Sequence, residues 1–313
     1  MKLNFLGLAA LGAMTVSSVA SAAPIVLTGK FLQVSVSDRG TFGQNGGGRP
    51  AFVHDITGTG TFDLSTDYIA PGSPHDGFSL ISDQFGFTQN DNTGISGIGF
   101  TSPTLLIGAA ARGYANAASW SGTVAGMFTI TNSYFFNPGD ERVLIETTVT
   151  ALRDLTNLAF ARSVDPDSGG FNSKNQRGNT TLAKNDFIGS ESVTNGRTLA
   201  LVNIANGGFG NATQINGSCC SNVNPYTVLA GPGGLGDAST GDHSLNMAYR
   251  LGTLANGSSA TFQYAYAAGL GIDKIVVPGG VPESSTWMMM IAGFGIAGMS
   301  LRSRRRNSIA SLA

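Results

Sequence analysis

Residues 126–152 read GMFTITNSYFFNPGDERVLIETTVTAL, and this stretch limits the fold more tightly than any other. Two runs rich in β-branched and aromatic residues, 127–136 and 142–152, flank Asn137-Pro138-Gly139-Asp140. Pro138 presets φ near −65° and Gly139 accepts positive φ, so these four residues form a turn and the two runs an antiparallel hairpin. Alternation of period two recurs over 25–38 (IVLTGKFLQVSVSD) and 60–68 (GTFDLSTDY), and both are expected as half-buried strands. Between them, 43–50 (GQNGGGRP) and 70–77 (APGSPHDG) read as loops by their Gly, Pro and Asn content. A second hairpin is expected to join 244–251 to 260–267, because the connection contains Asn256-Gly257. Helical periodicity is weak and confined to 103–118.

Many short strands, frequent turns and no convincing helix predict an all-β fold, an antiparallel β-sandwich. It is read as one extended sandwich, or as two smaller ones divided near 119–125. Forty-four glycines would suggest disorder if apolar residues were scarce, but 42% of the chain is hydrophobic and 9% aromatic, so a core is available. Only 12% is charged and the net charge is −1, which excludes the electrostatic footprint of a nucleic-acid binder.

The two ends read as addresses. Lys2, the apolar run 3–16 and the small residues Ala20 and Ala22 make a secretory signal peptide over 1–22, with the body at 23–280. Near the other end, 287–301 is apolar or small throughout, only marginally long enough for a helix that needs about 20 residues to span a bilayer. Arg302, Arg304, Arg305 and Arg306 follow directly, and the positive-inside bias would hold them in the cytoplasm while the body faces outward. The body is thus expected to be exported through the inner membrane to the surface or beyond.

Pro282-Glu283, a few small residues, Trp287, a short apolar run and an arginine cluster together resemble the PEP-CTERM sorting signal of Gram-negative bacteria, in the subtype with a Trp shortly after Pro-Glu. The resemblance covers 281–306, roughly the last tenth of the chain. It implies an exosortase, a membrane transpeptidase-like enzyme, as processing partner, with Pro282 and Glu283 as recognition residues, Trp287 opening the apolar segment and transient residence in the inner membrane. Ser284 stands where the family has a second Pro, and Met288 where the subtype has Ala.

Within the body, the most suggestive stretch is ARSVDPDSGGFNSKNQRGN, 161–179. Asp165, Asp167 and Asn172 offer hard oxygens near one another in sequence, as Ca²⁺ prefers, although the spacing is not that of an EF-hand. The default reading of the same residues is a turn in which the aspartates accept backbone N–H bonds and Arg162 pairs with one of them. Asp165 and Asp167 also have the residue types of an acid/base pair for glycoside chemistry. Cys219 and Cys220 are adjacent in an exported, oxidising setting. Their Cα atoms are held about 3.8 Å apart by the peptide, below the usual disulfide range of about 4.4–6.8 Å, so a vicinal disulfide would be strained. His54, His75 and His243 are dispersed, each beside an acid. Trp120, Phe135, Phe136, Tyr264 and Tyr266 fit either a sugar-stacking platform or, by alternation, the core. The resulting expectation is a non-enzymatic surface protein associated with exopolysaccharide or biofilm, with a polysaccharide as partner. The alternative is a secreted carbohydrate-active enzyme using Asp165 and Asp167.

Overall fold

The computed structural model describes residues 23–43, 48–99 and 101–275. The signal peptide, the Pro-Glu motif, the apolar segment and the arginine cluster lie outside these residues. Among the described residues no helix is long and apolar enough to cross a membrane.

The body is an antiparallel β-sandwich. Its larger sheet has nine strands in the order 238–240, 173–177, 187–192, 197–205, 259–270, 142–151, 128–136, 116–124 and 104–105; the facing sheet has five, 210–216, 244–254, 155–164, 76–82 and 86–91. A three-stranded sheet, 25–28, 32–36 and 52–54, packs against one end. The expected hairpin is present as Phe128–Phe136 paired with Arg142–Ala151, and its turn closes with the Asp140 N–H donating to the Asn137 carbonyl at 2.9 Å.

One hydrophobic cluster runs from Leu27 to Ala268 and joins all three sheets. Phe160 and Tyr249 of the five-stranded sheet meet Phe262 and Tyr264 of the nine-stranded sheet, with ring centroids 4.3–6.3 Å apart. Phe42 and Phe52 extend this contact to Tyr134 and Tyr266. Trp120 donates its indole N–H to the Asp38 carbonyl at 2.8 Å, which ties the small sheet to the large one. Trp120, Phe135, Phe136, Tyr264 and Tyr266 are at most 1% exposed. They are core or sheet-covering residues, and no sugar platform is built from them.

Two strand expectations are corrected. Ser244–Leu254 and Ser259–Leu270 are strands, but they belong to opposite sheets and do not pair with each other. Their connection is an arch: Gly257 N–H donates to the Ala151 carbonyl at 2.8 Å and Asn256 N–H to Asp154 Oδ1 at 2.8 Å, so the turn is satisfied by the neighbouring hairpin rather than by a ladder of its own. The segment 60–68 is not a strand. Asp63 caps a short 3₁₀ turn, Leu64–Thr66, by accepting the Ser65 N–H at 2.9 Å, and this local bond competes with extended pairing. The stretch 103–118 forms the strand Thr104–Leu105 and a 3₁₀ turn Gly108–Ala111 before the strand that begins at Asn116.

Candidate functional site

The strand Leu155–Val164 leads into the site. Its pairing ends with Val164 opposite Asp76 and Leu245, where Pro166 removes a backbone donor and stops the ladder. The chain then stays fixed by single bonds: Asp165 N–H donates to the His75 carbonyl at 2.9 Å, and Asp167 N–H to the Tyr68 carbonyl at 2.7 Å. Ser168 Oγ donates to the Ser190 carbonyl at 3.0 Å, so the loop is also pinned to the larger sheet.

Arg162 and Val164 turn inward and Asp165 faces outward. That outer face is covered by the segment 217–229. Ser244 Oγ donates to the Ser218 carbonyl at 3.0 Å and Ser79 Oγ to the Val223 carbonyl at 2.8 Å. The short helix Pro225–Leu229, capped by Asn224, packs Val228 on Ala161 and Ala248. Between these anchors stands the vicinal disulfide Cys219–Cys220, and Cys220 Sγ lies 3.4 Å from Asp165 Oδ2. A glycine is required beneath: a Cβ at Gly77 would lie 2.3 Å from Asn222 Oδ1.

Asp165 is 3% exposed, and its Oδ1 has no hydrogen-bond partner; neither has Asp167 Oδ2. Burial raises the Asp165 carboxyl to about 7, with the Asp242 charge adding to it. Burial raises Asp167 to about 7 as well, helped by Asp165, Asp242 and Asp67 and opposed by Arg49. Burial lowers the neighbouring His75 to about 4, so its ring is neutral. Asp165 is buried, Asp167 is half-buried, and the Asp165 charge raises Asp167; carboxyls so coupled titrate as a pair, and near neutral pH such a pair holds one proton to give and one free base.

The sequence-predicted residues divide here. Asp165 and Asp167 share one electrostatic site, while Asn172 lies exposed on the 3₁₀ turn Gly170–Asn172. Arg162 does not pair with either aspartate. It is fully buried on the inner face, bonded to Asp76, to Tyr266 Oη at 2.7 Å and to the Gly40 carbonyl at 3.3 Å. Among the described residues one cluster of metal-ligating types converges, Asp165 with Cys219 and Cys220. With the bridge closed its sulfurs are not thiolates, so the cluster lacks the donors of a thiolate metal centre. The three histidines form no such cluster. Asp242, Asp67 and Arg49 were not singled out from sequence, because their relation to Asp165 and Asp167 is made by loops far away in the chain; the one local signal was the acid beside His243.

A separate open depression of about 690 Å³ lies at the opposite end of the strand Ser173–Arg177, lined by Arg177, Lys184, Asn185, Asp186, Asn211 and Asp237. Its cations are occupied: Arg177 and Lys184 both bind Asp237, at 2.6 and 2.5 Å, and Arg177 also donates to Thr213 Oγ1 and Asn185 Oδ1 at 3.0 Å each. It therefore offers paired charges and amides, without the free carboxyls of the Asp165 loop.

No protein-family model and no curated protein matches the chain. Among solved structures, a bacterial glucoamylase complexed with acarbose is similar over 85% of this chain and 35% of its own, at 13% identity and a TM-score of 0.47. A kojibiose phosphorylase from the human microbiome is similar over 88% of this chain and 33% of its own, at 10% identity and a TM-score of 0.39. A GalM/aldose epimerase homologue from C. elegans is similar over 80% of this chain and all of its own, at 10% identity and a TM-score of 0.42. The chain spans about a third of the length of the phosphorylase and the glucoamylase. The expectation of a non-enzymatic matrix protein is corrected here: the solved structures similar to this chain are those of a glucoamylase, a kojibiose phosphorylase and an aldose epimerase homologue.

Proposed function

We propose that this chain is a carbohydrate-active enzyme in which Asp165 and Asp167 perform acid/base chemistry on a sugar. Support comes from the carboxyl pair itself, since the fold likeness fixes neither substrate nor reaction. The observation that carries the reading is two carboxyls of one loop, each with an enclosed oxygen that no protein group satisfies, in surroundings where burial raises both to about 7. Glycosidic bond cleavage and sugar epimerisation both need one carboxyl or other acid that keeps its proton at neutral pH and one base that has lost it. The partner is then a polysaccharide or a sugar released from one. The test is incubation of the purified protein with a panel of polysaccharides and free aldoses, followed by reducing-end assay and by polarimetry. Turnover that falls at least about 100-fold in Asp165→Asn and in Asp167→Asn supports the assignment; turnover undiminished in both variants removes it.

The proposal includes a place of action. The protein is exported by its N-terminal signal peptide and sorted by an exosortase-type enzyme acting at Pro282-Glu283, with Trp287 and the arginines Arg302, Arg304, Arg305 and Arg306 holding the tail in the inner membrane during processing. Replacing all four arginines by Ala should leave the protein unprocessed or released early, as read by fractionation and by the mass of the mature C-terminus. An unchanged mature mass and location would argue against it.

A further inference from the structure

Asp165 is covered where an acid/base residue must meet its substrate, and the sulfur covering it belongs to a bond that can be opened. Oδ2 sits 3.4 Å from Cys220 Sγ, Oδ1 is bonded to nothing, and the residue is 3% exposed. Cys220 is held in the left-handed region, φ 70°, in a turn anchored on both sides by the Ser244 to Ser218 and Ser79 to Val223 hydrogen bonds. A closed disulfide has no proton on sulfur. Any hydrogen bond across this contact must therefore run from a protonated Asp165 to Sγ, and a carboxylate there would face an acceptor. A Cys220 thiol reverses the polarity, because its S–H donates and favours the carboxylate.

We propose that the Cys219–Cys220 disulfide is the positioning group for Asp165: closed, it selects the protonated carboxyl and shields it from water, and opened by a dithiol reductant it puts a thiol donor against the carboxylate and frees the turn above it. In the opening step the S–S bond accepts two electrons and two protons, giving two cysteine thiols, while the dithiol becomes a cyclic disulfide. The charged and titratable groups facing Asp165 do not replace this control. Asp167 on its own loop is the other raised carboxyl of the pair and Asp242 adds a like charge, His75 is neutral and contributes its backbone carbonyl, and Arg162 and Asp76 are paired on the inner face. Arg49 and Asp67 act on Asp167. The inference rests on the carboxyl pair being the reactive site, but its test does not require turnover.

The experiment is isotope-edited infrared titration of the purified protein, with the Asp165 carboxyl band identified by its loss in Asp165→Asn. The wild type is measured oxidised and after treatment with a dithiol, its bridge state checked by alkylation and mass. Reduction should lower the protonation midpoint of Asp165 by about one pH unit, and reoxidation should restore it. Cys219→Ser, which keeps the Cys220 thiol but cannot close the bridge, should match the reduced wild type without reductant. Superimposable titrations of oxidised and reduced wild type would overturn the proposal, and this comparison decides even if Cys219→Ser does not fold. A redox-responsive band in a protein that converts no sugar would remove the sugar reading and leave this inference. Sugar turnover whose pH profile and carboxyl band both ignore the bridge would do the reverse.

Discussion

Arg162 and Asp165 stand three residues apart where one strand ends, and burial acts on them in opposite ways. Arg162 enters the sandwich interior, where Asp76, Tyr266 and the Gly40 carbonyl take its donors and the rings of Phe42, Phe78 and Tyr266 lie 5.3–5.8 Å from its guanidinium carbon. Burial alone would discharge the guanidinium; the Asp76 carboxylate and the tyrosines outweigh it and hold Arg162 well above its usual value. Asp165 turns the other way and meets the sulfur of Cys220, with the Asp242 charge adding to the effect of burial. The first arrangement is a satisfied polar network that fixes how three sheets meet. The second leaves desolvated carboxyls uncompensated, which costs stability and is the condition under which a carboxyl stays protonated at neutral pH.

Breaking the matched side should have the largest effect. Arg162→Ala leaves the Asp76 charge buried and unpaired and should destabilise the protein by about 3–5 kcal/mol in urea denaturation; a loss below about 1 kcal/mol would mean the pair is not what joins the sheets.

The unmatched side should respond to pH with a defined sign. Asp165 and Asp167 have folded values near 7, above the usual carboxyl value of 3.8, so between about pH 4 and 7 the folded protein keeps protons that the unfolded chain has lost. Stability should then fall as pH rises through that window, by about 3–4 kcal/mol for Asp165. Asp165→Asn should remove that share of the slope and leave the variant more stable than wild type at pH 8. Parallel curves for the two proteins would equate Asp165 with an ordinary surface acid.

Gly40 sharpens the comparison within the matched region. Its φ is 70° and a Cβ there would lie 2.4 Å from the Trp120 ring, while its carbonyl accepts from Tyr134 and Arg162. Gly40→Ala should cost about 2 kcal/mol through strain and a displaced indole, measured as a lower denaturation midpoint with near-ultraviolet circular dichroism reporting Trp120. The smallest effect is expected for a surface pair. Arg112 binds Glu146 through two hydrogen bonds of 2.6 and 2.8 Å, but the arginine side chain is 41% exposed, and Arg112→Ala should cost no more than about 1 kcal/mol and less in high salt.

These contrasts also mark how far the residues could be read before the fold was known. The hairpin around Asn137–Asp140 was legible because its turn and both strands are contiguous. The arch at Asn256-Gly257 was not: the same turn chemistry closes a hairpin or crosses between sheets, and both flanking strands are buried on two faces, so period two does not choose their partners. Asp165 and Asp167 were legible as carboxyls in one loop. What raises them was not, since Asp242, Cys220 and the segment that shields them come from 50 to 77 residues further along the chain. Arg162 looked like their counterion by proximity in sequence, yet strand alternation turned it to the opposite face.

The most direct measurement is a titration of the aspartate carboxyls by ¹³C NMR, with Asp165→Asn and Asp167→Asn providing the assignments. The expected result is two coupled carboxyls that share their protons at apparent midpoints near 7. Both carboxyls titrating independently near 4 would contradict it and leave the sandwich without an acid/base pair at this loop.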